Sequence, residues 1–208
     1  MKGLVMRRVA MGLAGLVAAG CAALAPMLVR DPTQRFGARG FSVAAPPGSN
    51  WYVVMPSARE VHFTKRLGDA PVPSVYVAAW IASTKAPLAR AEDLVPFKQR
   101  SLEEVRQQEP AYTIDLRDLQ VDRTPGAECV RWVQEEEQTN HPNPALRSAT
   151  LVTTTYGLDC LHPFDQRSMI TIGYSERRIK GATSLIGPGQ PLAAEGEAFV
   201  HSIRFTPP

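Results

Sequence analysis

Period two runs through most of this chain after residue 40, and that pattern restricts it to strands with a face to bury. In "EVHFTKR" (60–66), Val61, Phe63 and Lys65 share one side, while Glu60, His62, Thr64 and Arg66 take the other. "NWYVVM" (50–55) reads as the strand before it, and "SVYVAAWIAS" (74–83) is apolar on both sides, as a strand covered twice should be. The spacing then turns helical. "EDLVPFKQRSLEEVRQQ" (92–108) sets Leu94, Phe97, Leu102 and Val105 along one stripe, with Asp93 as cap, Pro96 in the first turn and Pro110 as the stop. Strands return around 111–122, 126–137, 148–161 and 166–176, with the turn-rich "TNHPNPAL" (139–146) between two of them. "PLAAEGEAFVHSIRF" (191–205) closes the chain with Leu192, Phe199, Val200 and Ile203 at helical spacing, interrupted by Gly196. It reads as a helix, or as a helix followed by a short strand.

Strands, helix, strands, helix predict an α+β domain over residues 41–208. Its architecture is an antiparallel sheet of about six or seven strands, with one inserted helix and one C-terminal helix packed on it. This order, the opening segment "FSVAAPPGSNW" (41–51) and the closing "HSIRF" (201–205) resemble the PsbP/Mog1-type fold, including the DcrB-like proteins and small bacterial envelope lipoproteins. The resemblance implies a binding, assembly or accessory role rather than an enzyme, and a fold does not by itself carry a function.

The amino terminus follows different rules. Lys2, Arg7 and Arg8 precede a charge-free run from Val9 to Val29, the layout of a secretory signal. An uncleaved membrane anchor is the alternative on length, since a span needs about 20 apolar residues. Gly12, Gly15, Gly20 and the many alanines make this run a weak inserter. "VAAGC" (17–21) resembles the lipobox of bacterial lipoproteins, with Ala18 where the family prefers Leu. The resemblance implies that residues 1–20 are a signal peptide and that Cys21 becomes the lipidated amino terminus, with diacylglycerol on sulfur and a further acyl chain, such as palmitate, on nitrogen. Ala22, in place of Asp, implies an outer-membrane lipoprotein facing the periplasm; an inner-membrane or soluble periplasmic location is the alternative. Residues 21–40 then read as a flexible tether.

With the leader removed, acidic and basic residues balance at 20 each. That balance gives no reason to expect nucleic acid as a partner. Acylation of Cys21 leaves Cys129 and Cys160 as an even pair in an oxidising compartment, where a disulfide is expected. Parity complicates the match. Cys129 alternates with Arg131 and Val133, whereas Cys160 alternates with Leu158, Tyr156 and Val152. Facing the apolar sides puts the sulfurs on opposite sides of the sheet, so a bulge at Gly126 or Gly157 is expected.

Cys160 and His162 lie two apart on one strand face, the start of a cysteine nucleophile, and with Cys129 and His141 they supply zinc-ligand types without zinc-ligand spacing. An exported enzyme built on Cys160 and His162, or on such a zinc, is the alternative to the binding role. Glu135, Glu136 and Glu137 alternate faces and so do not converge on a cation, and Arg177 with Arg178 could hold an anion. His62 and His201 have no partner visible in the sequence. Trp51, Tyr76, Trp80, Trp132 and Tyr156 read as core. No phosphate loop, serine elbow or calcium loop is present. The expectation is a membrane-tethered protein with no catalytic residue, metal or cofactor, whose partner is an unidentified envelope protein or small ligand.

Overall fold

Alternating strands satisfy their backbone only in a sheet, and here they build two. The computed structural model describes residues 26–54, 57–68, 71–109, 111–123 and 126–207. In chain order the elements are β1 (Met27–Leu28), β2 (Arg35–Ala38), β3 (Phe41–Ala44), β4 (Trp51–Val53), β5 (Glu60–Lys65), β6 (Ser74–Ser83), α1 (Ala91–Gln108), β7 (Tyr112–Asp122), β8 (Cys129–Gln138), β9 (Leu151–His162), β10 (Asp165–Ile179), α2 (Pro191–His201) and β11 (Arg204–Phe205). An eight-stranded sheet runs β1-β4-β5-β6-β10-β9-β8-β7, and a three-stranded sheet runs β11-β3-β2. Every pairing is antiparallel.

The protein is therefore α+β with antiparallel sheets and two helices, and its strand count exceeds the six or seven expected. The six long strands, β5 to β10, are where the alternation puts them, and β4 lies within the stretch read as the strand before β5. The additional strands β1, β2 and β3 are two to four residues long, and β11 is the short strand given as the alternative ending after the closing helix. A run that short has no measurable period. Part of the stretch read as a flexible tether, residues 21–40, is built into the sheets: Met27 pairs with Val53, and Arg35–Ala38 pairs with Phe41–Ala44. The stretch read as a signal peptide, Cys21 and the residues through Ala25 lie outside the described residues. Among the described residues, no helix is long and apolar enough to cross a membrane.

The large sheet is covered on both sides. One side, the α2 side, carries Cys129, Leu158, Cys160, Ile170, Ile172, Val77, Ala79 and Phe63 under α2 and the small sheet, which contribute Phe199, Val200, Phe41 and Val43. On the other, the α1 side, Leu94 packs on Val130, Trp132, Leu161 and Met169. This explains why apolar parity misleads at the cysteines. Cys129 faces Cys160 in a straight register that continues through Arg131–Leu158 and Val133–Tyr156 with no shift. The expected bulge at Gly126 or Gly157 is absent from this pairing. Arg131 fits among apolar neighbours because its guanidinium reaches Asp122 at 3.0 Å, keeping the charge paired while the stem packs.

Two local expectations also change. Asp93 is the third helical residue rather than the cap, and its carboxylate accepts the Ala89 and Arg90 backbone N–H groups, each at 3.1 Å. Pro96 then falls beyond the first turn, with no N–H to offer the Glu92 carbonyl. Gly196 does not interrupt α2. A β-carbon there would lie 2.3 Å from Tyr174 Cγ, so the glycine lets the helix settle on the tyrosine ring. Gly196→Val should lower stability by about 2 kcal/mol or more through overpacking, read as a lower urea midpoint with an unchanged slope.

Candidate functional site

Cys160 has no thiol to offer. It is bonded to Cys129, and both cysteines are fully buried in the core. His162 shares that strand face but serves the backbone: Nε2 donates to the Gly40 carbonyl at 2.9 Å, and Nδ1 accepts the Phe164 N–H at 3.2 Å. The cysteine-nucleophile arrangement is therefore not formed. His141 lies in the loop after β8, at the opposite end of that strand from Cys129, and its Nδ1 accepts the Asn143 N–H. The four zinc-type residues are not brought together, and among the described residues no group of three or more His, Cys, Asp or Glu side chains could hold a metal.

The other charged motifs are held in pairs. Glu135 and Glu137 point to the α2 side, where they meet Arg117 at 2.6 Å and Lys180 at 2.8 Å. Glu136 points to the α1 side. Arg177 and Arg178 likewise diverge, donating to Thr153 and Thr154 respectively, so they do not form an anion clamp. Between them and the core, Glu176 is wholly buried and ties down the loop after β10 by accepting from Leu185 N and Ser184 Oγ. Trp51 is core, as expected, and Trp132 is buried, whereas Tyr76, Trp80 and Tyr156 are half-buried. His201 lies 3.5 Å from Glu197.

Among the described residues, two recesses on the sheet bear on ligand binding. The first is a groove of about 500 Å³, lined by Tyr156, Tyr174, Ile186, Pro188, Pro191, Ala193, Ala194 and Glu197. Tyr156 and Tyr174 face each other across the β9–β10 register, and their rings stack at 5.0 Å and 8°. Tyr174 donates its hydroxyl to Glu197 at 2.8 Å, and burial together with that carboxylate holds the phenol protonated well above its usual range. Arg131 sits 3.4 Å from the same carboxylate. The result is a flat aromatic and prolyl wall with one oriented charge at its edge, of the size small-molecule sites have. No sequence motif marks it, because it forms only when the register brings the tyrosines together and Gly187-Pro188-Gly189-Gln190-Pro191 folds over them.

The second lies on the α1 side. His62, Ala78, Gly173, Gly157 and Trp132 form one row across the sheet. The small residues in the middle leave a notch. Trp132 lies flat on Gly157, where a β-carbon would come within 2.4 Å of the indole. Lys98 of α1 caps the ring at 3.3 Å from its centroid and lies 3.6 Å from Asp159, which accepts the Thr171 hydroxyl at 2.7 Å. Burial pushes the Lys98 ammonium pKa down, with Asp159 pulling against it. Four buried polar atoms without a hydrogen-bond partner among the described residues all belong to this side: Trp132 Nε1, Gln134 Oε1, Gln138 Oε1 and His62 Nε2. The cavity between Trp80 and Trp132 measures only about 10 Å³, the room one water needs. It suits bound water rather than a ligand.

Two predictions arise here. Gly157→Ala should displace Trp132 and Lys98 together, lowering stability by about 1–3 kcal/mol and altering the near-UV circular dichroism of the indole. Glu136 is held above its ordinary value of 4.5, chiefly by burial. The folded state therefore keeps a proton that the unfolded state has lost, and stability falls as pH rises from near 4.5 through the raised value. Glu136→Gln should remove that decline, leaving the variant more stable than the parent at pH 7 but not at pH 4 in urea melts.

No protein-family model matches this sequence, and a search of curated proteins finds no similar one.

Proposed function

We propose that this protein is a lipid-anchored, non-enzymatic module of the bacterial envelope, held at the outer membrane through Cys21 and facing the periplasm, that binds a small ligand or protein segment in the Tyr156–Tyr174 groove. The groove is the observation that carries the binding role. It is open to solvent, mostly apolar, and lined by Pro188, Pro191 and the half-buried Tyr156 beside the Glu197 carboxylate. The Cys129–Cys160 bond supports the compartment, because such bonds persist outside the reducing cytoplasm. Antiparallel strands, an inserted helix and a closing helix support the PsbP/Mog1-type assignment.

A library of aromatic and prolyl fragments, followed by amide chemical-shift changes, tests the groove. Hits should perturb Tyr156, Ile186 and Ala194 together, and Tyr156→Ala should weaken them at least several-fold, since stacked aromatic contacts contribute roughly 1 kcal/mol each. Hits that fall elsewhere, or that survive Tyr156→Ala unchanged, would remove the groove from the account.

A further inference from the structure

We infer that one end of the large sheet, carrying Arg39, Arg59, Lys85, Phe164 and Arg167, rests on an anionic phospholipid surface; this depends on the anchor reading for Cys21. The path of the chain selects that end. Met27 pairs with Val53, and the next residue, Val54, donates its N–H to the His62 carbonyl. The chain upstream of Met27 therefore leaves the sheet where β5 begins, β6 ends and β9 turns into β10. Backbone bonds knit this end together: Arg39 N to Ala58 O, Ile81 N to Arg59 O, and Thr84 N to Arg167 O. His162 Nε2 on Gly40 O adds the small sheet to it.

Covalent reach then limits the distance. The chain from Cys21 to Met27 spans at most about 20 Å when fully extended. β10 alone, at 15 residues, is roughly 50 Å long. A lipid on Cys21 thus keeps the Met27 end near the headgroups while the Ile179 end stands away from them.

The surface presented there suits that neighbour. Arg39, Arg59, Lys85 and Arg167 are exposed; the first three come from separate loops and Arg167 from the start of β10. The carboxylates among them are Glu60, 3.3 Å from His62, and Asp165, whose oxygens accept from the Arg167 backbone and the Ser168 hydroxyl. Within this patch the cations outnumber the carboxylates, while at the adjoining β7–β8 edge Arg123 is paired with Glu92 and Glu128. Each cation near an anionic leaflet adds to the attraction. At the tip of the β9–β10 turn, Phe164 exposes 59% of its surface, yet its backbone N–H is fixed on His162. A rigidly held aromatic ring among cations is suited to the headgroup layer. Overall composition hides this patch, because a total of charges does not record where they cluster.

The test uses the full chain, extracted with its lipid and reconstituted in vesicles of phosphatidylethanolamine and phosphatidylglycerol containing brominated phosphatidylcholine. Phe164→Trp reports on the near end and Ile179→Trp on the far end. Bromine should quench the tryptophan fluorescence added at 164 and leave that at 179 unchanged. Reversing Arg39, Arg59, Lys85 and Arg167 to Glu should cut the quenching at 164 to roughly half or less as the attraction is lost. An acylated protein with equal quenching at both positions, or with quenching indifferent to the reversals, overturns this inference alone. A protein whose mass shows no acyl groups overturns the anchor reading as well.

Discussion

A Cys129→Ala/Cys160→Ala variant should unfold about 4 kcal/mol more easily than the oxidised protein. The bond closes a loop with a sequence separation of 31, and the chain-entropy relation converts that length to roughly this figure. Both cysteines are fully buried in the α2-side core, so emptying the sulfur positions adds a small packing loss in the same direction. For a domain of this size the melting temperature should drop by about 8–15 °C, measurable by calorimetry on oxidised parent and variant side by side. Because β8 and β9 are neighbours in register at that point, hydrogen exchange should rise first at the Cys129 end of β8. A variant melting within a degree or two of the parent would mean that the bond joins strands already held by their ladder and core.

Glu176→Ala should be comparably damaging, at about 3–5 kcal/mol. The side chain is completely buried, and it takes the Leu185 N–H at 3.0 Å and the Ser184 hydroxyl at 2.8 Å, with Arg178 at 3.8 Å. Truncation leaves a half-buried backbone donor and hydroxyl without their acceptor, and a guanidinium without one of its counter-charges. Glu176→Gln keeps an acceptor for Leu185 and should cost less than half as much. The loop it holds contains Ile186, which lines the tyrosine groove. Fragment binding there should therefore weaken in Glu176→Gln by more than the melting temperature suggests. Equal losses for Ala and Gln would show that charge, rather than the hydrogen bonds, fixes the loop.

Long elements were legible because their periods are long enough to measure. The helix expected over 92–108 spans Ala91–Gln108, and "SMITIGYSER" lies within β10. The short strands of the amino-terminal stretch were not. Phe41–Ala44 and Arg35–Ala38 join the small sheet only through each other and β11, so nothing local distinguishes them from loop. The Cys129–Cys160 bond was foreseen from cysteine counting. The register that allows it was misjudged because parity arguments assume one dry side, and here α1 covers the other. Tyr156 shows the same limit: alternation placed it on a strand correctly, but its stacking on Tyr174 depends on a long-range register. Gly196 looked like a helix break because the tyrosine ring against it is 22 residues away in sequence.

The most direct measurement is the intact mass of the protein extracted from membranes. A chain beginning at Cys21, carrying diacylglycerol and an amide-linked acyl group and lighter by the hydrogens lost at Cys129 and Cys160, is the predicted result. A mass that retains Met1 or Lys2, or a mature chain with no lipid on Cys21, would contradict the account.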